Sequence, residues 1–182
     1  RKTDLYNSGL FEFQDEGSQI IADLVNANSK CTIVDFCAGA GGKTLSISLS
    51  MRGRGRMYAF DIYEKKLLRL RERLNRLGLS NVITETISHN NNKRIKRLWG
   101  KIDKVLVDAP CMGFGTVRRN PDLLWKYNED NLASITKDQF EILSHASHLV
   151  KPNGELIYAT CSILKEENED IINRFIQANK EL

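Results

Sequence analysis

Two cysteines, Cys111 and Cys161, each sit just past a short apolar run, in Asp108-Ala109-Pro110-Cys111-Met112-Gly113 and in Tyr158-Ala159-Thr160-Cys161-Ser162. A thiolate is a strong nucleophile, and in an open parallel sheet the carboxyl ends of the strands line the ligand crevice, so the two thiols can meet beside one cofactor. Taken singly, each reads by default as an inert core thiol. Asp108 and Pro110 restrict the loop of the first cysteine, which gives the pair more weight than either member. A second constellation is the glycine-rich run Cys37-Ala38-Gly39-Ala40-Gly41-Gly42-Lys43-Thr44. Asp61 follows Gly39 at the spacing of the acid that accepts hydrogen bonds from both ribose hydroxyls of a nucleoside-bearing cofactor. The loop alone serves nicotinamide, flavin and S-adenosylmethionine sites, and glycine also simply turns chains.

The elements that must hold these residues alternate. Cys31 to Asp35 reads as a buried strand before the glycine loop, with a helix from Leu45 to Met51 behind it. Met57 to Ile62 is a second strand carrying Asp61. Glu64 to Leu77 is a helix whose Leu67, Leu70, Leu74 and Leu77 recur at helical spacing, with Lys65, Lys66, Arg69, Arg73 and Arg76 opposite and Gly78 as its stop. Further strands are expected at Val82 to Ile87, Ile102 to Val107 and Glu155 to Ala159, the last following the Pro152-Asn153-Gly154 turn. Helices are expected at Leu132 to Val150 and Glu167 to Asn179. An opening helix from Gln14 to Ala27, with Ile20, Ile21, Leu24 and Val25 on its apolar face, completes a region over residues 1–30. Parallel neighbours need crossover connections, so the pattern predicts an α/β fold, a mainly parallel sheet with helices on both faces, in one domain over residues 1–182.

Composition narrows the class. At 182 residues, with 41% hydrophobic and 27% charged side chains, disorder, collagen and a disulfide miniprotein are excluded. No apolar run has the length of a membrane span, so a cytoplasmic location away from membranes is expected. The four cysteines lack the paired spacing of a zinc site, His89, His145 and His148 form no metal constellation, and no metal is expected. Cys31 and Cys37 read as packed side chains. The net charge of +4 hides a strong bias: residues 52–119 hold 17 basic and 6 acidic side chains. Such a stretch reads as a polyanion-binding face or as solvated helix surface.

With these motifs the chain resembles the Sun/Nop family of RNA (cytosine-5) methyltransferases, and is most similar to its bacterial small-subunit rRNA enzymes. The resemblance runs from Gln14-Asp15-Glu16-Gly17-Ser18 through the glycine loop, Asp108 to Gly113, Val117-Arg118-Arg119-Asn120-Pro121-Asp122 and Thr160-Cys161-Ser162 to Glu167-Asn168-Glu169. It implies a Rossmann-like class I core dependent on S-adenosyl-L-methionine and an RNA substrate, rRNA in particular. It further implies that Cys161 is the nucleophile and that Cys111 assists breakdown of the covalent adduct. Asp108 and Lys43 would hold the base, and Cys37, Ala38, Gly39, Ala40, Gly41, Gly42, Lys43, Asp61 and Asp108 would line the cofactor pocket. Carbon 5 of cytosine is too weakly nucleophilic to take a methyl group directly, so a thiolate adds to carbon 6 first. Arg118 and Arg119 would hold phosphates near an unstacked nucleotide, with Trp125 and Tyr127 as stacking or core side chains.

Three departures from the family pattern stand out. Gly39-Ala40 replaces Ala-Pro in the loop. The stretch Ile87-Ser88-His89-Asn90-Asn91-Asn92 lacks the family's adenine-contacting aspartate, leaving Ser88 or Asn90 to bond there. The chain stops before the closing strand pair and without the RNA-binding domain that commonly precedes the core. The missing aspartate and the basic stretch motivate one rival, a non-catalytic RNA-binding or ribosome-assembly module on the same scaffold. A nicotinamide oxidoreductase explains the loop and Asp61 but gives the two strand-end cysteines no purpose.

Overall fold

A computed structural model of the protein describes residues 3–87 and 93–180. Ser88, His89 and Asn90 lie outside the described residues. In chain order the elements are α1 (Asp4–Asn7), α2 (Glu16–Leu24), β1 (Thr32–Asp35), α3 (Gly42–Ser50), β2 (Arg56–Asp61), α4 (Glu64–Arg76), β3 (Val82–Thr86), α5 (Lys93–Lys96), β4 (Ile102–Asp108), α6 (Glu129–Ser147), β5 (Val150–Ala159) and α7 (Glu169–Ala178). The five strands form one sheet in the order β3-β2-β1-β4-β5, and every pairing is parallel.

Strand alternation divides the core between the two faces of the sheet. Ile33, Met57 and Leu106 point to one face, where they pack with Ala22 and Val25 from the α2 region and Ile47 and Met51 at α3. Val34, Phe60, Val105 and Val107 point to the other, against Leu143 and Ala146 of α6 and Ile171 and Phe175 of α7. Leu67, Leu70 and Leu74 of α4 close over Ala38, Leu45 and Ala59 as their spacing predicts; burying such a leucine contributes about 2 kcal/mol. Gly78 ends α4 in the left-handed region, and the Leu79 amide returns to the Leu74 carbonyl.

Two expectations are corrected. Ile20 and Leu24 of α2 are exposed, and the buried face instead carries Ala22 and Val25 with Ile21 half-buried. The apolar pattern there is wider than the surface that α2 presents to α3, so only part of it finds the core. Pro152-Asn153-Gly154 does not precede β5 but bulges out within it: Val150 pairs with Ile102, and pairing resumes at Glu155 with Lys104. Asn153 supplies the positive φ that this excursion needs.

Strand order reverses between β1 and β4, which opens a crevice at their carboxyl ends. Asp35, Asp61 and Asp108 end β1, β2 and β4, and the cysteine loops follow β4 and β5. The register that pairs Asp108 with Ala159 brings those two loops side by side.

Candidate active site

A cleft of about 470 Å³ opens at this point, lined among others by Cys37, Gly39, Asp61, Ile62, Ile87 and Asp108. Asp61 is buried at the end of β2. One carboxylate oxygen accepts the Gly39 amide at 2.8 Å and the other accepts the Tyr63 amide at 2.8 Å, which fixes the glycine loop to the strand beside it. Gly39 has φ +56°, and a Cβ there would meet no atom within 4 Å. Gly41, at φ +84°, differs: a Cβ would overlap the buried Leu70 side chain. One glycine keeps the cleft clear and the other lets helix α4 close over the loop.

The remaining expected cofactor residues spread around this cleft. Ala38 is buried against α4, Ala40 is exposed with its carbonyl bonded to Arg73, and Gly42 begins α3. Lys43 turns towards β4, donating to Asp108 at 2.7 Å and to Ser18 at 3.3 Å. Asp35 lies buried beneath the loop, accepting from the Thr44 hydroxyl at 2.7 Å. Burial raises its carboxyl to about 7, Asp108 and Asp61 add to the rise, and Thr44 and Lys43 oppose it. Burial also pushes the Cys37 thiol up, in keeping with a packed side chain, and Cys31 is core.

The two remaining thiols meet. Cys111 Sγ and Cys161 Sγ lie 3.0 Å apart, neither in a disulfide. The Gly115 amide donates to the Cys161 carbonyl at 2.9 Å and joins the loops. A hydrogen bond from Cys111 lowers the Cys161 thiol to about 7 against the opposing effect of burial and of Asp108, with Lys43 assisting. The same bond, together with burial, raises Cys111. The pair therefore consists of one exposed thiol that ionises near neutrality and one that stays protonated beside it.

The basic stretch is partly consumed inside the protein. Arg73 and Arg76 converge on the carboxylate of Glu12, which is held below the usual carboxylate range by their bonds and the Phe13 amide despite burial. They anchor the segment before α2 rather than offering charge to a polyanion. Arg118 and Arg119 are exposed, the latter paired with Asp15. Trp125 is 90% exposed, which removes the core alternative, and Tyr127 packs edge-on against Phe114. His145 and His148 are exposed, with His148 against Trp99.

Sequence reasoning missed Gln139 and gave Glu167 and Asn168 no role. All three reach the cysteine loops. Gln139 left a signal, since it shares the helical stripe of Leu143 and Ala146, where a polar residue needs a partner. Among the described residues no helix is long and apolar enough to cross a membrane.

Known proteins resemble this chain in sequence and fold. The chain is 34% identical over 175 residues to the probable ribosomal RNA small subunit methyltransferase B of Bacillus subtilis, covering 96% of this chain and 39% of that protein. The chain thus spans about two fifths of the length of that relative. Among solved structures, PH0851 superposes with a TM-score of 0.91 at 36% identity, covering 97% of this chain and 40% of that one. NSun6 from Pyrococcus horikoshii, solved with SFG, superposes with a TM-score of 0.87 at 26% identity, covering 98% and 45%. Residues 22–182 match the family model described as 16S rRNA methyltransferase RsmB/F. With that match over most of its length, the chain belongs to the RsmB/F family of 16S rRNA methyltransferases.

Proposed function

We propose that this chain is the catalytic core of a cytoplasmic enzyme that methylates carbon 5 of a cytosine in small-subunit rRNA, using S-adenosylmethionine and a covalent cysteine adduct. The observation that carries this reading is the 3.0 Å thiol pair, with one member ionising near neutrality, beside the Lys43–Asp108 ion pair at the cleft.

The cleft suits a nucleoside-bearing methyl donor. The Asp61 carboxylate edges it, Ile62 and Ile87 give it apolar walls, and the missing side chain at Gly39 leaves room for a ribose. Cys37, Gly39, Asp61 and Asp108 would hold the cofactor, the backbone from Ala38 to Gly42 would shape the loop around it, and bound S-adenosylmethionine would supply the methyl group. The NSun6 relative was solved with SFG, an S-adenosylmethionine analogue, which supports this choice.

The protein's own groups then account for each demand of the reaction. Cys161 thiolate adds to carbon 6, making carbon 5 enamine-like. Lys43 and Asp108, contacting the base edge, stabilise charge developing on the ring. After carbon 5 is methylated its proton must leave before Cys161 can be expelled. Cys111 suits that task because its thiol is raised first by its bond to Cys161. Once Cys161 is held as a thioether that cause is gone, and Cys111 can ionise, take the carbon-5 proton and release the product. Exposed Arg118 and Arg119 would contact phosphates, and the exposed Trp125 would stack on a base.

Full chain incubated with labelled S-adenosylmethionine and small-subunit rRNA tests the reading. Label recovered as 5-methylcytosine is expected. Salt-sensitive RNA binding without cofactor binding or transfer would replace this reading by a non-catalytic RNA-binding module.

A further inference from the structure

Glu167 is fully buried, although it follows β5 in a short polar turn. One of its carboxylate oxygens accepts the Met112 amide at 2.8 Å and the Gln139 side-chain amide at 2.9 Å. The same Gln139 nitrogen donates to the Pro110 carbonyl at 2.8 Å. Cys111 is thereby tied down at the residue before it and at the residue after it. Asn168, next in the chain, treats Cys161 in the same way. Its side-chain oxygen accepts the Thr160 hydroxyl at 2.8 Å, and its nitrogen donates to the Ser162 carbonyl at 3.2 Å and the Leu164 carbonyl at 2.7 Å. The Tyr158 hydroxyl donates to the Glu167 carbonyl at 2.8 Å and locks the turn to β5.

A buried carboxylate costs stability unless it is well bonded, and a helix core position is a costly place for a glutamine. Apolar residues could fill both sites. What the polar pair does that apolar side chains cannot is hold backbone groups of two loops that carry no regular ladder between them. We propose that Glu167 and Asn168 are positioning residues that set the spacing of the Cys111 and Cys161 thiols, each bracketing one cysteine. The inference rests on the cysteine chemistry proposed above and extends it to residues that touch neither base nor cofactor.

Alkylation of Cys161 by iodoacetamide in the full chain, followed against pH with mass-spectrometric resolution of each thiol, tests this directly. The groups facing that thiol are Cys111, Asp108 and Lys43, and all stay unchanged in the variants. Glu167→Ala and Asn168→Ala should move the alkylation midpoint upward by about one pH unit, slowing the reaction at pH 7 about fivefold, because a thiol about half ionised there falls to about a tenth. Glu167→Gln keeps an acceptor for the Met112 amide and should restore the midpoint. If Glu167→Ala does not fold, Gln139→Ala frees the Pro110 carbonyl and removes one of the two bonds to Glu167 while leaving the Met112 amide on it, and should give a smaller rise in the same direction. Folded variants whose midpoint stays at the wild-type value overturn the proposal. The measurement uses neither RNA nor methyl donor. A clamp-dependent thiol in a protein that transfers no methyl group would support the clamp and overturn the reaction alone.

Discussion

Lys43 Nζ lies 2.7 Å from Asp108 Oδ2, tying the first turn of the helix behind the glycine loop to the end of β4. The pair also sits in the field of Cys161, where the lysine favours the thiolate and the aspartate opposes it. Replacing Lys43 by methionine keeps the bulk and leaves the aspartate alone. Alkylation of Cys161 at pH 7 should then slow about twofold or more, from an upward shift of about half a pH unit or more. Thermal unfolding should register a loss of about 1 kcal/mol, since the pair is mostly shielded from water but not fully buried.

Cys111→Ala separates the two thiols' roles. Without the Cys111 hydrogen bond, Cys161 should ionise at higher pH, so its alkylation at pH 7 should slow. If Cys111 also removes the carbon-5 proton, the same variant should accumulate an RNA adduct that survives denaturing electrophoresis, whereas Cys161→Ala should form none. An adduct in Cys161→Ala would sink the nucleophile assignment. For wild type, methyl transfer should rise with pH through about 7, where Cys161 becomes thiolate.

The two loop glycines should fail differently. Gly41→Ala forces a Cβ into Leu70 at a positive φ and should cost about 2–3 kcal/mol in thermal unfolding. Gly39→Ala meets open space, so its cost should be limited to the backbone term of about 1 kcal/mol. Gly39 lines the cleft, and calorimetry should find S-adenosylmethionine binding weakened well beyond that loss.

The strand-and-helix alternation and the α4 leucine stripe were legible in the sequence because parallel strands buried on both faces and a one-sided helix leave strong periodic signals. The α2 face was not, since Ile20 and Leu24 obey the same period as the buried Ala22 and Val25. Nor does spacing distinguish the Arg73 and Arg76 that grip Glu12 from the lysines beside them, because partners about sixty residues away are set by the fold. At the site, Cys111 and Cys161 could be paired by placing each at a strand end. Their separation, and the bonds from Gln139, Glu167 and Asn168 that brace it, depend on how α6 and the turn after β5 pack, which no local pattern encodes.

Trp125 exposes 90% of its surface on a turn whose Leu123 packs near Gly113 in the first cysteine loop. An indole this exposed contributes little to folding, so Trp125→Ala should leave the unfolding temperature nearly unchanged. Stacking of one base on an aromatic ring is worth about 1–3 kcal/mol. Filter binding or anisotropy with unstructured RNA should show affinity falling about tenfold. Unchanged affinity would remove Trp125 from the RNA path.

Asp35 should make stability depend on pH in the direction opposite to an ordinary salt-bridged acid. Its carboxyl titrates near 3.8 when exposed and is raised to about 7 in the fold, chiefly by burial. Between these values the folded protein holds a proton that the unfolded chain has lost, so stability must fall as pH rises from about 4 to about 7, by at most about 1.4 kcal/mol per unit. Asp35→Asn keeps an acceptor for the Thr44 hydroxyl and has no proton to lose. Thermal unfolding of the variant should show that decline flattened, with the largest gain over wild type at pH 7 and above. A wild-type protein whose melting temperature rises steadily from pH 4 to 7, with the variant parallel to it, would mean that Asp35 is ionised in the fold and that the low-dielectric floor inferred beneath the glycine loop is wrong.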